Sequence, residues 1–192
     1  RMLEIFGTAT LMPLVALLFG TAAIGAELEE GTAIYLLAKP IPRWVTLLTK
    51  LIVAGACSVA LTSIPVLLAG LLAGAPIGLS VAFAVATAAG SLIYCAMFIA
   101  LSVATTRALV VGLGYVLIWE GVLAGLFAGT QTFSVRQHTL AFADALTDVP
   151  AGTFTSPLSI GTALVVGTAV LVLAVALAIR RLRDIEIAGE ST

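Results

Sequence analysis

Charge is scarce in this chain. Asp, Glu, Lys and Arg make up 10% of its 192 residues, where an average soluble domain carries about 25%. Hydrophobic residues make up 61%, and the mean hydropathy is +1.20. A soluble fold of this length cannot enclose that much apolar surface, so the solvent is expected to be lipid. The net charge of -1 excludes the basic face that phosphate backbones require, and with it a nucleic-acid partner. Histidine occurs once, at His138, and cysteine twice, at Cys57 and Cys95. Both cysteines fall inside apolar runs and read as small packing residues, and so thin a set of soft ligands does not build a metal site. No G-x-x-x-x-G-K-[ST] is present, so the chain has no phosphate-cradling loop of its own. No H-E-x-x-H and no Ser–His pair lies within the apolar runs, which argues against an intramembrane enzyme. The alternating segments of about 10 residues that mark a membrane barrel are missing too.

What is present is a set of long apolar runs. A bilayer core takes about 20 apolar helical residues. Residues 7–26, 44–74, 77–105, 108–129 and 158–179 each satisfy that length, which predicts an all-α membrane protein, one transmembrane domain over residues 1–192 with five spans. The second is long enough to tilt, or to kink at Pro65. Seven of the nine basic residues (Lys39, Arg43, Lys50, Arg107, Arg180, Arg181 and Arg183) fall on one side of this arrangement, and only Arg1 and Arg136 on the other. The positive-inside rule then places residues 27–43, Arg107 and the C-terminus in the cytoplasm of a cell with a multi-pass protein in its plasma membrane. Five spans with an inside C-terminus start outside, and the first residue is Arg rather than Met, so a preceding span is expected in the intact protein.

The most polar stretch is AELEEGTAIYLLAKPIPRWVTLLTK, residues 26–50. Glu29 and Glu30 precede Gly31 and Thr32; Thr32 is a helix-capping residue type, and the acids suit the positive end of a short helix. Pro40 ends that helix, because the residue before a proline is pushed out of the α region. Ile34 and Leu37 share one face, with Tyr35 and Leu36 beside them, and Pro42-Arg43 leads into the next span. Such a peg either lies on lipid or docks in a groove on a cytoplasmic partner.

The run Glu29-Glu30-Gly31-Thr32, Leu36-Leu37, Lys39-Pro40, Pro42-Arg43 and Lys50 resembles the cytoplasmic loop of type-2 ABC-transporter permeases, where E-x-G-T precedes L-L-x-x-P-x-x-R and a lysine at the next span. A weaker likeness surrounds Trp119-Glu120. The resemblance implies six spans, the first of them preceding this sequence. It makes the segment around Ile34–Leu37 a coupling helix. It also implies a second permease copy, as a homodimer or homologous heterodimer, and two ATPase subunits that bind the ATP and Mg. The chain itself would be the transport subunit of an exporter and hold no cofactor. Two other classes stay open: a non-transporting structural subunit of a membrane complex, and a secondary transporter, which would need paired intramembrane charges or broken helices.

Glu120 stands in YVLIWEGVLAG, near the middle of the fourth run. A charge at the bilayer centre costs about 2.5–3.5 kcal/mol on insertion scales, so this carboxyl must be paired, protonated or facing water. Thr62, Ser63, Ser91, Tyr94 and Thr168 are the polar residues at matching depth. Either they hold the carboxyl as a structural lock, or Glu120 is a polar point on a transport path. Gly121, Gly125 and Gly129 repeat every four residues, a spacing that lets helices approach, either within the bundle or between subunits. Gly70, Gly74 and Gly78 read as packing or a bend. Between the last two runs, residues 130–157 place Val135, Phe142, Leu146 and Val149 at helical spacing. An amphipathic helix is expected there, lying at the outer surface or dipping in as a hairpin, with His138 as an interfacial polar residue.

Overall fold

The computed structural model describes residues 3–29, 42–123, 128–147 and 158–189, and among these every regular element is a helix. The chain opens with a π-helical stretch, α1 (Leu3–Leu11), which runs directly into α2 (Met12–Glu29). Then come α3 (Arg43–Leu72) and α4 (Ile77–Ala104). A short helix, α5 (Ala108–Gly114), continues as a second π-helical stretch, α6 (Tyr115–Leu123). A 3₁₀ helix, α7 (Ala128–Phe133), leads into α8 (Val135–Ala145), and α9 (Ile160–Gly189) completes the bundle.

Among the described residues, four stretches are long and apolar enough to cross a membrane: Leu3–Gly25, Trp44–Leu72, Ile77–Ala104 and Ile160–Leu182. Of the expected fourth span, residues 108–129, the described apolar helix is the shorter Ala108–Val122. Beyond it, Ser134 and Val135 bond back to Glu120. Other boundaries move as well. The first apolar helix starts at Leu3 rather than residue 7, and the last element stays helical to Gly189, beyond the expected residue 179. Lys50 does not sit in a loop: it lies inside α3, and its Nζ donates to the Ala23 carbonyl of α2 at 2.7 Å. Pro65 is accommodated inside an unbroken α3.

The centre of the bundle is α4. Of its apolar window 56% is buried, against 22–44% for the other three long helices, and α2, α3, α8 and α9 all pack against it. Its buried residues include the small Ala82, Ala86 and Gly90 and the aliphatic Ile93 and Ile99, while Tyr94 and Phe98 stack at 5.7 Å. Tyr115 meets the Phe98 ring edge-on, so the same aromatic ladder reaches α6. Met12, Leu17, Val116 and Val135 close the cluster around it. Between α3 and α4, Thr62 and Ser91 share a hydrogen bond of 2.9 Å, and Gly70 lies against Ser80. Hydroxyl pairs and small residues are what hold helices together where water is absent. Gly74 turns the chain between the two helices at φ +72°, a conformation open to glycine and costly for other residues.

Gly90 is the tightest point. A Cβ there would collide with Thr139 of α8 and Met12 of α2. Gly78, near the start of the same helix, has nothing within 4 Å. Gly90→Ala is therefore expected to destabilise the protein by about 1–3 kcal/mol through overpacking. Gly78→Ala should raise stability by about 0.5–1 kcal/mol through helix propensity. Thermal unfolding of the two purified variants in one detergent checks the opposite signs.

Candidate functional site

The polar residues of the bundle converge on Glu120. Its side chain is 5% exposed and accepts four hydrogen bonds. Tyr94 Oη of α4 donates to Oε1 at 2.7 Å. The Val135 backbone N–H donates to the same oxygen at 3.0 Å, and Tyr115 Oη reaches it at 3.5 Å. Ser134 Oγ donates to Oε2 at 2.5 Å. Every partner is a donor, the pattern that an acceptor-only carboxylate satisfies.

Local structure explains how these groups meet. Tyr115 and Glu120 are five residues apart, which in an α-helix would put them on different faces. The π-helical turn of α6 stacks i on i+5 and brings both to one side. On α8, Ser134 is the N-cap: its Oγ also accepts the Gln137 N–H at 3.3 Å. The sequence Ser134-Val135-Arg136-Gln137 has the S-x-x-Q form of a capping box. The first N–H groups of a helix lack intrahelical partners, and the helix dipole places partial positive charge there. Glu120 supplies the acceptor and the negative charge from another element. The carboxylate thus acts as a cap in trans, fastening the start of α8 to α4 and α6.

Of the five residues at matching depth, the structure brings only Tyr94 to Glu120. Thr62 and Ser91 bond to each other, the Ser63 hydroxyl is buried without a partner, and Thr168 lies exposed on α9. Ser134, Val135 and Tyr115 were not among the expected partners. The capping-box spacing marks where α8 begins, but only tertiary structure shows what it faces.

The α8 helix departs from the expected amphipathic face. Val135 is buried, but Leu146 is 56% exposed and Phe142 only half-buried, while Val149 lies outside the described residues. The inward face carries Val135, His138, Thr139 and Ala143 instead, and α8 inserts among α1, α4 and α9. His138 is consequently not an interfacial residue. It is 1% exposed, and among the described residues neither ring nitrogen has a hydrogen-bond partner. Burial pushes its pKa down from 6.5; the nearby Thr132 backbone and the Glu120 charge oppose that without prevailing. Beside it Arg136 pairs with Glu4 of α1 at 3.3 Å, both side chains partly exposed. This pair adds a second tie between α8 and the start of the chain, worth about 1 kcal/mol or less.

The remaining expected residues are more scattered. Gly121 is exposed, and among the described residues a Cβ there would meet only its own helix at Val116 O, 3.7 Å away, so it packs against no other described helix. Gly125 lies outside the described residues, and Gly129 belongs to α7. Glu29 ends α2 rather than leading a separate helix, and Arg43 opens α3 after Pro42. Glu30, Gly31, Thr32, Ile34, Tyr35, Leu36, Leu37 and Pro40 lie outside the described residues. Among the described residues no group of His, Cys, Asp and Glu is arranged to hold a metal ion.

The hydrogen-bonded cluster can act as a latch. Glu120→Ala would leave the Tyr94 and Ser134 hydroxyls and the Val135 N–H buried without an acceptor, at about 1–3 kcal/mol each. That variant should lose roughly 2–5 kcal/mol after partial relaxation. Glu120→Gln keeps one acceptor oxygen and should lose about 1 kcal/mol. Melting temperatures in detergent, with hydrogen exchange of the α8 amides, separate the two.

A pH dependence follows from His138. Because its pKa is depressed in the docked state, seating of α8 is most stable above pH about 6.5 and weakens as pH falls below it. The Glu120 carboxyl of α6 is the charged group acting on it. Exchange of the α8 amides, corrected for intrinsic rates, should rise between pH 7.5 and 5.5 in the wild type, and that rise should vanish in His138→Leu. No family model, characterised protein or solved structure matches the chain, so this geometry stands without a relative to compare it with.

Proposed function

We propose that the chain is the membrane-spanning permease subunit of an ATP-driven exporter, working with a separate ATPase and a second permease copy. The observation that favours this reading most is the order of its elements. A short apolar helix pair (α5–α6) is followed by a helix drawn into the bundle (α8) and then by a last long apolar helix (α9). The resemblance carried by residues 29–50 implies a gate in that position, between the last two spans. In this reading Leu3–Gly25, Trp44–Leu72, Ile77–Ala104, Ala108–Val122 and Ile160–Leu182 are membrane elements, with Arg107, Arg180 and Arg181 on the cytoplasmic side.

The geometry suggests how motion would travel. Residues 30–41 join α2 to α3, and the Lys50 ammonium ties the two helices together close to that joint. A push on the joint therefore moves α2 and α3 as a unit. Both pack along α4, and α4 carries Tyr94, the α4 partner of Glu120. An ATPase closing around ATP can bias the permease only through contacts that differ between its states. The joint would be one such contact, and the Glu120 latch on α8 the element it acts on. A cargo path next to α8 would be opened by release of the latch.

Leu36→Glu or Leu37→Glu is expected to leave the chain inserted in the membrane while the ATPase no longer co-purifies with it. A variant complex that assembles and transports normally overturns the coupling role. Purification of the intact wild type with other membrane subunits and no ATPase would favour the structural-subunit reading instead.

A further inference from the structure

Alongside the Glu120 latch, the bundle carries a groove of about 470 Å³ between α4 and α9. Its floor is made of small residues: Ala100 and Ala104 from α4, and Ala174 from α9. Leu173 and Leu177 stand up beside it, and Arg181 closes one end. The two leucines are exposed, 61% and 55%, while Ala174 is 7% exposed, so the groove opens outward from the bundle.

Length and charge together identify what fits. From Val170 to Arg181, the residues of α9 that line the groove, the helix rises about 16 Å at about 1.5 Å per residue. Half of a bilayer core of about 30 Å is about 15 Å, so the groove runs the depth of one leaflet. The guanidinium stands where that leaflet's headgroups would lie. Arg181 is exposed, and no described carboxylate pairs with it. A phospholipid brings hydrocarbon to the alanine floor and a phosphate to the arginine, which binds that group with two parallel N–H donors.

A comparison within the molecule sharpens the assignment. The groove between α2 and α3, of about 360 Å³, is also apolar and also has a base at its side, Lys50. There the ammonium is turned onto the Ala23 carbonyl, where it serves the packing of the two helices. A third groove along α9, past Leu164 and Thr168, has no charged residue in its lining. The combination of leaflet depth, small-residue floor and outward-facing cation belongs to the α4–α9 groove.

We propose that the α4–α9 groove binds one anionic phospholipid from the leaflet on the Arg181 side, with an acyl chain against Ala100, Ala104 and Ala174 and the phosphate on the Arg181 guanidinium. The assignment rests on these helices crossing a bilayer and is independent of any ATPase partner. It makes α4, the helix that carries Tyr94, part of a lipid contact as well as the backbone of the latch.

The test uses the full chain purified in a mild detergent and titrated with dioleoylphosphatidylglycerol or dioleoylphosphatidylcholine, with bound lipid counted by native mass spectrometry. One phosphatidylglycerol per chain is expected to survive activation that strips phosphatidylcholine. Arg181→Gln should weaken its retention by about fivefold, the effect of removing one basic residue at an anionic membrane surface. Arg181→Lys should keep most of it. Arg180→Gln, adjacent in sequence but outside the groove, should change nothing; both positions are exposed, so neither variant threatens the fold. Equal retention of the two lipids, or equal losses from Arg180→Gln and Arg181→Gln, overturns the proposal. So does a mass showing a second copy of the chain in place of the lipid.

Discussion

One carboxylate organises the α6–α8 end of this bundle. Glu120 takes the N–H and hydroxyl groups that begin α8, and at the same time the phenol of Tyr94 from the central helix. Without such an acceptor α8 would present unsatisfied donors to an apolar interior, a state that membrane and protein interiors both penalise. With it, a helix of mixed polarity can be drawn in among α1, α4 and α9. The π-helical turn of α6 belongs to the same device, because it aims Tyr115 and Glu120 to one side.

The rest of the architecture supports that contact. Gly90 lets Thr139 of α8 and Met12 of α2 approach α4, and the Tyr94–Phe98–Tyr115 ladder fixes the phenol that Glu120 needs. The Glu4–Arg136 pair holds α8 from the other side. His138 is the exception: a buried imidazole with no hydrogen-bond partner among the described residues, one turn along from the capped end. Burial lowers its pKa, so its protonation is expected to oppose the seating of α8. Far along α4 and α9, small residues leave a groove rather than a sealed interface, and Arg181 stands at its end.

Much of this was legible beforehand, and unevenly. The runs at 44–74 and 77–105 returned as α3 and α4 almost residue for residue, because twenty or more apolar residues in a row have few alternatives as structure. Gly74 and Gly70 proved to be the bend and the close packing expected of them. The run at 108–129 returned only in part, as Ala108–Val122 among the described residues. The amphipathic face around Val135 misled: hydrophobic periodicity assumes that polar side chains face water, and in α8 His138 and Thr139 face the interior. The importance of Glu120 was visible from its isolation among apolar neighbours; its partners were not, because Ser134 and Val135 are distant along the apolar depth scale that the sequence offers.

By itself, then, the sequence determined that the chain is helical, that its helices are apolar enough for lipid, and that one acid among them demands a partner. Those are properties of single residues and short periods, which composition and spacing carry directly. Tertiary structure decided which partner that is, that Lys50 ties α2 to α3 and that His138 and Thr139 of α8 face the interior. Each of these depends on two segments meeting, and in a chain where almost every surface is apolar, hydrophobic pattern alone does not say which surfaces meet. The few hydrogen bonds do, because a buried donor has to find its acceptor.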